Sequence, residues 1–177
     1  MKTIVIISAS PRKNGNSDLL CDQFMKGAQE SGHKVEKISL REKNIRPCLG
    51  CEACQSTHSC VQHDDMPVIL SKLIEADVII MATPVYFYTM CSQMKTLIDR
   101  TVPRYTEISG KDFYFIATAA DSNAKALERT IDGFRGFTDC LDNAREKGVL
   151  LAPGVWKKGD VMSSAAMEQA FIMGRNA

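Results

Sequence analysis

Residues 2–20 read KTIVIISASPRKNGNSDLL, and this stretch decides the fold. Thr3 to Ile7 is a β-branched apolar run of the kind that makes a strand buried on both faces of a parallel sheet, and it is expected at the sheet's centre. The chain then turns small, polar and helix-breaking through Ser8, Ser10, Pro11, Arg12, Asn14, Gly15, Asn16 and Ser17, before an amphipathic helix opens at Asp18 and Leu19. Such a loop suits an anion. The hydroxyls of Ser8, Ser10 and Ser17, the amides of Asn14 and Asn16, unpaired backbone N–H groups and the positive end of the helix dipole converge where a phosphate can replace lost hydrogen-bond partners. Arg12 adds charge or covers the ligand. The plainer reading is a strand-to-helix turn capped by Asn16 or Ser17, built from the same residue types. The loop lacks the GxGxxG of a dinucleotide fingerprint and the GxxxxGK[ST] of a nucleotide P-loop, and it contains no cysteine for a phosphatase nucleophile.

Outside this stretch, 177 residues that are 45% hydrophobic and 24% charged fill one buried core and leave little for a second, so a single domain over 1–177 is expected. A formal net charge of +1 offers no broad attraction to nucleic acid or to an anionic membrane, and neither is expected as a partner. No apolar run approaches the roughly 20 residues of a membrane span. Met1 and Lys2 lead straight into a core strand rather than a signal peptide, so a cytoplasmic location is expected. Seven cysteines, four of them crowded together, point to thiols, a metal or a cluster rather than to a secreted disulfide framework.

Along the chain, Asp18 to Ser31 is predicted helical and stopped by Gly32, and Lys34 to Leu40 reads as an edge-lying second strand. The cysteine segment KNIRPCLGCEACQSTHSCVQHDDM is read as a long functional loop. Asp64 and Asp65 are candidate caps ahead of Pro67 for a helix to about Glu75. Asp77 to Ala82 is a third strand ending in a loop from Thr83 to Tyr88, and Gln93 to Arg104 resumes helix. Asp112 to Thr118 gives a fourth strand, a helical stretch is expected over about Ala124 to Lys147, and Gly148 to Leu151 gives a fifth strand. A last helix runs from Ser164 to about Met173, after GVWKKGDV. This alternation predicts an α/β doubly wound parallel sheet.

In such sheets a ligand lies outside the carboxyl ends of the strands, where strand order reverses. With the order 2-1-3-4-5, that point falls between the first and third strands, so the polar loop meets the Pro84 to Tyr88 loop. The first can hold a phosphate; the second offers backbone amides and Tyr86, Phe87 and Tyr88 to flank a flat ring. A phosphate joined to a planar heterocycle by a short polyol describes FMN. The alternative for each aromatic is packing under the next helix or at a subunit interface.

The segments SASPRKNGNS, CLGCEACQSTHSC followed by DDM, DVIIMATPVYFYTMCSQMKTLIDR and GVWKKGD together resemble the NADPH-dependent FMN reductase family of flavodoxin-like proteins over nearly the whole chain. Within that group the cysteine spacing is similar to iron-sulfur flavoproteins. The opening loop differs from the T-x-T-G-x-T loop of flavodoxins, which favours a reductase-like member over a simple electron carrier. The resemblance implies a flavodoxin-like three-layer sandwich with a five-stranded sheet and an FMN phosphate in the Ser10 to Ser17 loop. It places the flavin ring against Pro84, Val85, Tyr86, Phe87 and Tyr88, with Thr118, Ala119 and the residues to Asp121 completing the pocket. It also implies a homodimer with the flavin near the interface, NAD(P)H as reductant, and a quinone, small electrophile or redox protein as electron acceptor. No residue is assigned as an acid or base, because the cofactor carries that chemistry.

Cys48, Cys51, Cys54 and Cys60 follow C-x2-C-x2-C-x5-C, a compact spacing that lets short loops bring four thiolates to the corners of a [4Fe–4S] cube. Zinc, on the same thiolates or with His58 or His63 exchanged for one of them, and empty thiols stand as alternatives. Cys21, Cys91 and Cys140 are read as small core residues, and His33, His58 and His63 as solvated or structural. Two other classes of function stay open: a non-enzymatic electron carrier with FMN alone or with a cluster, and a binding or regulatory module that keeps the fold without flavin.

Overall fold

The computed structural model describes residues 1–177. In chain order the elements are β1 (Thr3–Ser8), α1 (Asn16–Glu30), β2 (Lys34–Ser39), a one-turn α2 (Cys54–Thr57), α3 (Met66–Glu75), β3 (Val78–Tyr86), β4 (Thr89–Met90), α4 (Ser92–Asp99), β5 (Asp112–Thr118), α5 (Glu128–Thr138), β6 (Arg145–Ala152) and α6 (Ala166–Arg175). Five strands run parallel in the order β2-β1-β3-β5-β6, the expected path once the two-residue β4, antiparallel to the end of β3, is counted apart.

The central strands are apolar on both faces because both faces are covered. Val5, Ile7, Ile79, Met81, Phe113 and Phe115 point into one core with Leu70 of α3, Met94 of α4 and Phe134 of α5. Their neighbours Ile4, Ile6, Val78, Ile80, Tyr114 and Ile116 point the other way, onto Leu20 and Phe24 of α1 and Ala170 of α6. Three layers result. Helices α1 and α6 approach so closely that a Cβ at Gly27 would lie 2.0 Å from the Phe171 carbonyl oxygen and one at Gly174 2.0 Å from that of Phe24.

Several boundaries differ from the expectation. The expected helix to Lys147 ends at Thr138, and β6 begins at Arg145. The charges Arg145, Glu146 and Lys147 hide a strand at the sheet's edge, where they reach solvent or a partner: Arg145 Nε donates to Asp112 at 2.7 Å, and Arg135 Nε of α5 donates to Glu146 at 2.8 Å. A bulge at Lys147, between the Phe113 and Tyr114 pairings, completes the disguise. The expected Pro84 to Tyr88 loop is a continuation of β3 as far as Tyr86, followed by a two-residue turn at Phe87 and Tyr88. Helix α4 ends at Asp99 rather than Arg104, and α1 begins at Asn16 behind a Gly15 cap rather than a side-chain cap at Asn16 or Ser17. Cys140, expected in a helix as a core residue, lies beyond α5 and is exposed, whereas Cys21 and Cys91 are buried.

Candidate functional site

The carboxyl ends of β1, β3, β5 and β6 surround a cavity of about 180 Å³ lined by Ser10, Arg12, Gly15, Asn16, Ser17, Pro84, Val85, Tyr86, Thr118, Ala120, Val155 and Trp156. Four separate loops therefore meet at the switch point between β1 and β3. The floor is the N-terminus of α1. No side chain caps that helix, so its first amides have no intrahelical acceptor and point their dipole at the cavity. Ser17 Oγ is buried, and no protein group bonds to it. Gly15 leaves the cradle open, since a Cβ there would lie 2.4 Å from Ser10 Oγ. A buried hydroxyl without a partner, free helix amides and a cradle that one methyl group would close together fit a phosphate group.

The other loop residues divide by position. Ser8 is wholly buried beneath the cradle, where its Oγ donates to Asp18 at 2.8 Å. Asn14 adopts a left-handed conformation at φ 56°, and its N–H donates to the same carboxylate at 3.0 Å. Asp18 also receives Lys37 Nζ at 3.1 Å and Arg41 Nη1 at 3.3 Å. Burial pushes the Asp18 carboxyl up, but Ser8, Lys37 and the Asn14 amide outweigh it and hold the group below its ordinary value. Ser8 and Asn14 thus shape the loop from behind, and Pro11 is exposed outside the cavity.

Asn16 corrects the sequence reading. Its side-chain amide is not free for an anion: Nδ2 donates to the Val155 and Lys157 carbonyls at 3.3 and 3.0 Å, and Oδ1 accepts from Gly159 and Val161 N–H at 3.0 and 3.3 Å. The side chain clamps the loop after β6 onto the start of α1. That clamp brings Val155 and Trp156 into the cavity wall, and Arg12 Nη1 donates to the Trp156 carbonyl at 3.4 Å. Of the aromatics, Tyr86 lines the cavity; Phe87 and Tyr88 form the turn beyond it. Thr118 lines it, whereas Ala119 is buried and spends its N–H on Ala152 and its carbonyl on Val155. Gly15 and Ala120, which fall within the two expected loops, also line the cavity, and Val155 and Trp156 are additions that the sequence did not place in the pocket.

A second cavity, of about 120 Å³, is lined by all four clustered cysteines, with Leu49, Val61, Gln62, Arg100, Val102 and Pro103 among its walls. The cysteine loop is tied at its base. Gln62 Nε2 donates to the Pro47 carbonyl at 2.9 Å, Asp65 N–H to the Asn44 carbonyl at 3.0 Å, and the Asn44 N–H to Asp65 Oδ2 at 2.7 Å. Arg100 grips Asp64 with both terminal nitrogens, Nη1 at 2.7 Å and Nη2 at 3.0 Å, and Nη1 also donates to the Arg46 carbonyl at 2.6 Å. Asp64 is therefore more than the cap that its sequence position suggested, although its Oδ1 also accepts from Met66 N–H at 3.1 Å. Gly50 N–H reaches Cys48 Sγ at 3.4 Å and Gln62 N–H reaches Cys60 Sγ at 3.5 Å. Amides donated to cysteine sulfur are the hydrogen bonds that stabilise thiolates bound to iron, and four thiols on one cavity match the ligand count of a cube. No three His, Cys, Asp or Glu side chains gather closely around a single point, so the four thiols share a cavity wall without converging on one ion.

The fold and the phosphate-shaped cradle define a flavodoxin-like protein. The sequence profile of the NADPH-dependent FMN reductase family matches residues 1–139, and the chain belongs to that family. It is 42% identical over 171 residues to an iron-sulfur flavoprotein of Methanocaldococcus jannaschii, covering 89% of this chain and 88% of the relative. An iron-sulfur flavoprotein of Archaeoglobus fulgidus is also 42% identical, over 103 residues, and there the match spans 58% of this chain but only 46% of the relative. Among solved structures, an NAD(P)H:quinone oxidoreductase from Methanothermobacter marburgensis superimposes with a TM-score of 0.73 at 18% identity, covering 99% of this chain and 96% of the other, and so shares the fold.

Proposed function

We propose that the protein is an FMN-dependent oxidoreductase that takes electrons from NAD(P)H and passes them to a quinone, a small electrophile or a redox protein, working as a homodimer. The observation that carries this reading is the unpartnered Ser17 hydroxyl beside the free amides of α1, at a cavity that also meets Tyr86 and Trp156. When bound, FMN supplies hydride acceptance and the release of electrons. The chain's part is to bind and orient. Ser17 and the α1 amides hold the phosphate and Arg12 screens its charge; Ser10, whose Oγ donates to the Arg12 carbonyl at 2.9 Å, shapes the loop, and Pro84, Val85 and Tyr86 wall the opposite side. The cavity wall has no carboxylate, imidazole or thiol, and Tyr86 is its one residue with a side chain that could exchange a proton.

The second reading is an electron carrier in which Cys48, Cys51, Cys54 and Cys60 hold a [4Fe–4S] cluster beside the flavin, favoured by the amide-to-sulfur bonds at Cys48 and Cys60. The similarity to the Methanocaldococcus relative supports it. Anaerobic purification with flavin and iron counts, followed by addition of NADPH or NADH alone, tests both. Bleaching of the flavin without a partner protein supports the reductase. Flavin that stays oxidised until a redox protein is added supports the carrier, and protein without flavin overturns both readings.

A further inference from the structure

Arg100 is an expensive residue to place where it lies. Its side chain is 1% exposed, and the Asp64 carboxylate that neutralises it is 0% exposed. Its two terminal nitrogens are spent on Asp64 and on the Arg46 carbonyl, yet Nε is buried without any partner. A buried donor of a charged group left unpaired forfeits its hydration with nothing in return. The loop's attachment explains the terminal nitrogens and leaves Nε unexplained. Arg100 lines the cavity of the four cysteines together with Cys60. Burial works against its charge, but Asp64 foremost and the adjoining Cys60 sulfur hold it above its ordinary value.

Resting on the reading that the four cysteines hold a [4Fe–4S] cluster, we propose that Arg100 is the positioning and charge-setting residue of that site, its Nε–H and fixed positive charge directed at the sulfur of Cys60. The physical consequence concerns one electron. On reduction the cluster gains an electron from the donor and one unit of negative charge, with no proton transferred. A cation fixed nearby in a water-poor wall favours the more negative form and raises the reduction potential. Asp64 is held by the terminal nitrogens and does not line the cavity of the cysteines, whereas Arg100 does.

The test uses full-length protein, reconstituted anaerobically with iron and sulfide, and reads the cluster midpoint by an EPR-monitored redox titration. Flavin content and thermal unfolding report the fold. Arg100→Gln combined with Asp64→Asn removes the charge without leaving a lone carboxylate. It is expected to keep about four irons per chain and to disfavour reduction at least tenfold, which is about 59 mV for one electron. Arg100→Lys, which keeps the charge but loses the planar fork, is expected to lower the midpoint by a smaller factor. A wild-type protein that takes up no iron overturns the cluster reading and this inference together. A four-iron wild type whose midpoint is unchanged in the folded double variant overturns the inference alone, as does loss of iron from both variants with flavin retained. If the double variant does not fold, an Arg100→Lys midpoint at or above wild type overturns it.

Discussion

Ser17 carries a hydroxyl that burial has stripped of water and that no protein group replaces. Its removal should therefore act with opposite signs on the empty and the loaded protein. Ser17→Ala is expected to leave the flavin-free protein as stable as wild type, or up to about 1 kcal/mol more stable, since an unsatisfied buried group is lost. FMN affinity should fall roughly tenfold, the loss of one hydrogen bond to a charged group. Urea unfolding and a flavin-fluorescence titration read the two quantities, and unchanged affinity would show that the hydroxyl does not meet the phosphate. Ser10 and Ser17 were legible from the sequence because they lie in the same short loop as the helix start. Trp156 and Val155 were not, because what brings them there is the four-bond Asn16 clamp across more than a hundred residues of chain. Arg100 was equally hidden: a charged residue near the end of an expected helix gives no sign that the fold will bury it. Its partner Asp64 sets a pH dependence. Burial raises that carboxyl, but Arg100 and the amides of Arg46 and Met66 bring it below its ordinary value. A depressed carboxylate contributes stability that is complete above its unfolded pKa, about 3.9, and lost as pH falls through the lower folded value. The urea midpoint should be steady above about pH 5 and fall below about pH 4. Asp64→Asn should cost about 3–5 kcal/mol at neutral pH by leaving Arg100 unpaired, and should flatten the acid loss.

Elements were legible where a single periodicity ruled and obscure where two demands overlapped. β1, β3 and β5 announce themselves as apolar runs because helices cover both faces. β6 has only one neighbouring strand, and its first half satisfies solvent and the Arg135 and Asp112 partners, so its pattern looked helical. The hairpin from β3 to β4 was missed for a different reason. Two-residue turns with positive φ at both positions call for Asn-Gly, and here Phe87 and Tyr88 occupy them at φ 49° and 64°. The contact of α1 with α6 gives the element-scale prediction, since the backbones touch at Gly27 and Gly174. Gly174→Val should lower stability by about 1–3 kcal/mol, the cost of overpacking, with urea denaturation as the measurement. A stable variant would mean that α6 can slide along α1, and the Asn16 clamp on the loop preceding α6 would then be a looser constraint than the geometry indicates.

At the scale of the whole molecule, the sheet places the cavity of Ser17 and Tyr86 at its carboxyl edge and leaves the hairpin tip and the cysteine loop with apolar residues in water. Phe87 is 100% exposed, and Tyr88, Leu49, Val61 and Val102 are 54, 68, 53 and 45% exposed. A bulky residue held in left-handed backbone costs about 1–2 kcal/mol, and a fully exposed phenyl ring returns none of it within one chain. The strain becomes understandable if a second copy receives the tip, which is also how the expected dimer would enclose a flavin whose cavity is open at Tyr86 and Trp156. Two consequences separate this account from a tip that is merely irregular. Sedimentation should show a dimer, and Phe87→Gly should convert it to a monomer at micromolar concentration. The same change should raise the intrinsic stability of the isolated chain by about 1 kcal/mol, because glycine accepts the positive φ without cost. That gain should be seen in urea unfolding at concentrations low enough for the wild type to be dissociated as well. A wild-type monomer that retains FMN would remove the interface altogether, and a Phe87→Gly protein that stays dimeric would move it elsewhere on the molecule; either result would leave the strained aromatic turn without a partner to justify it.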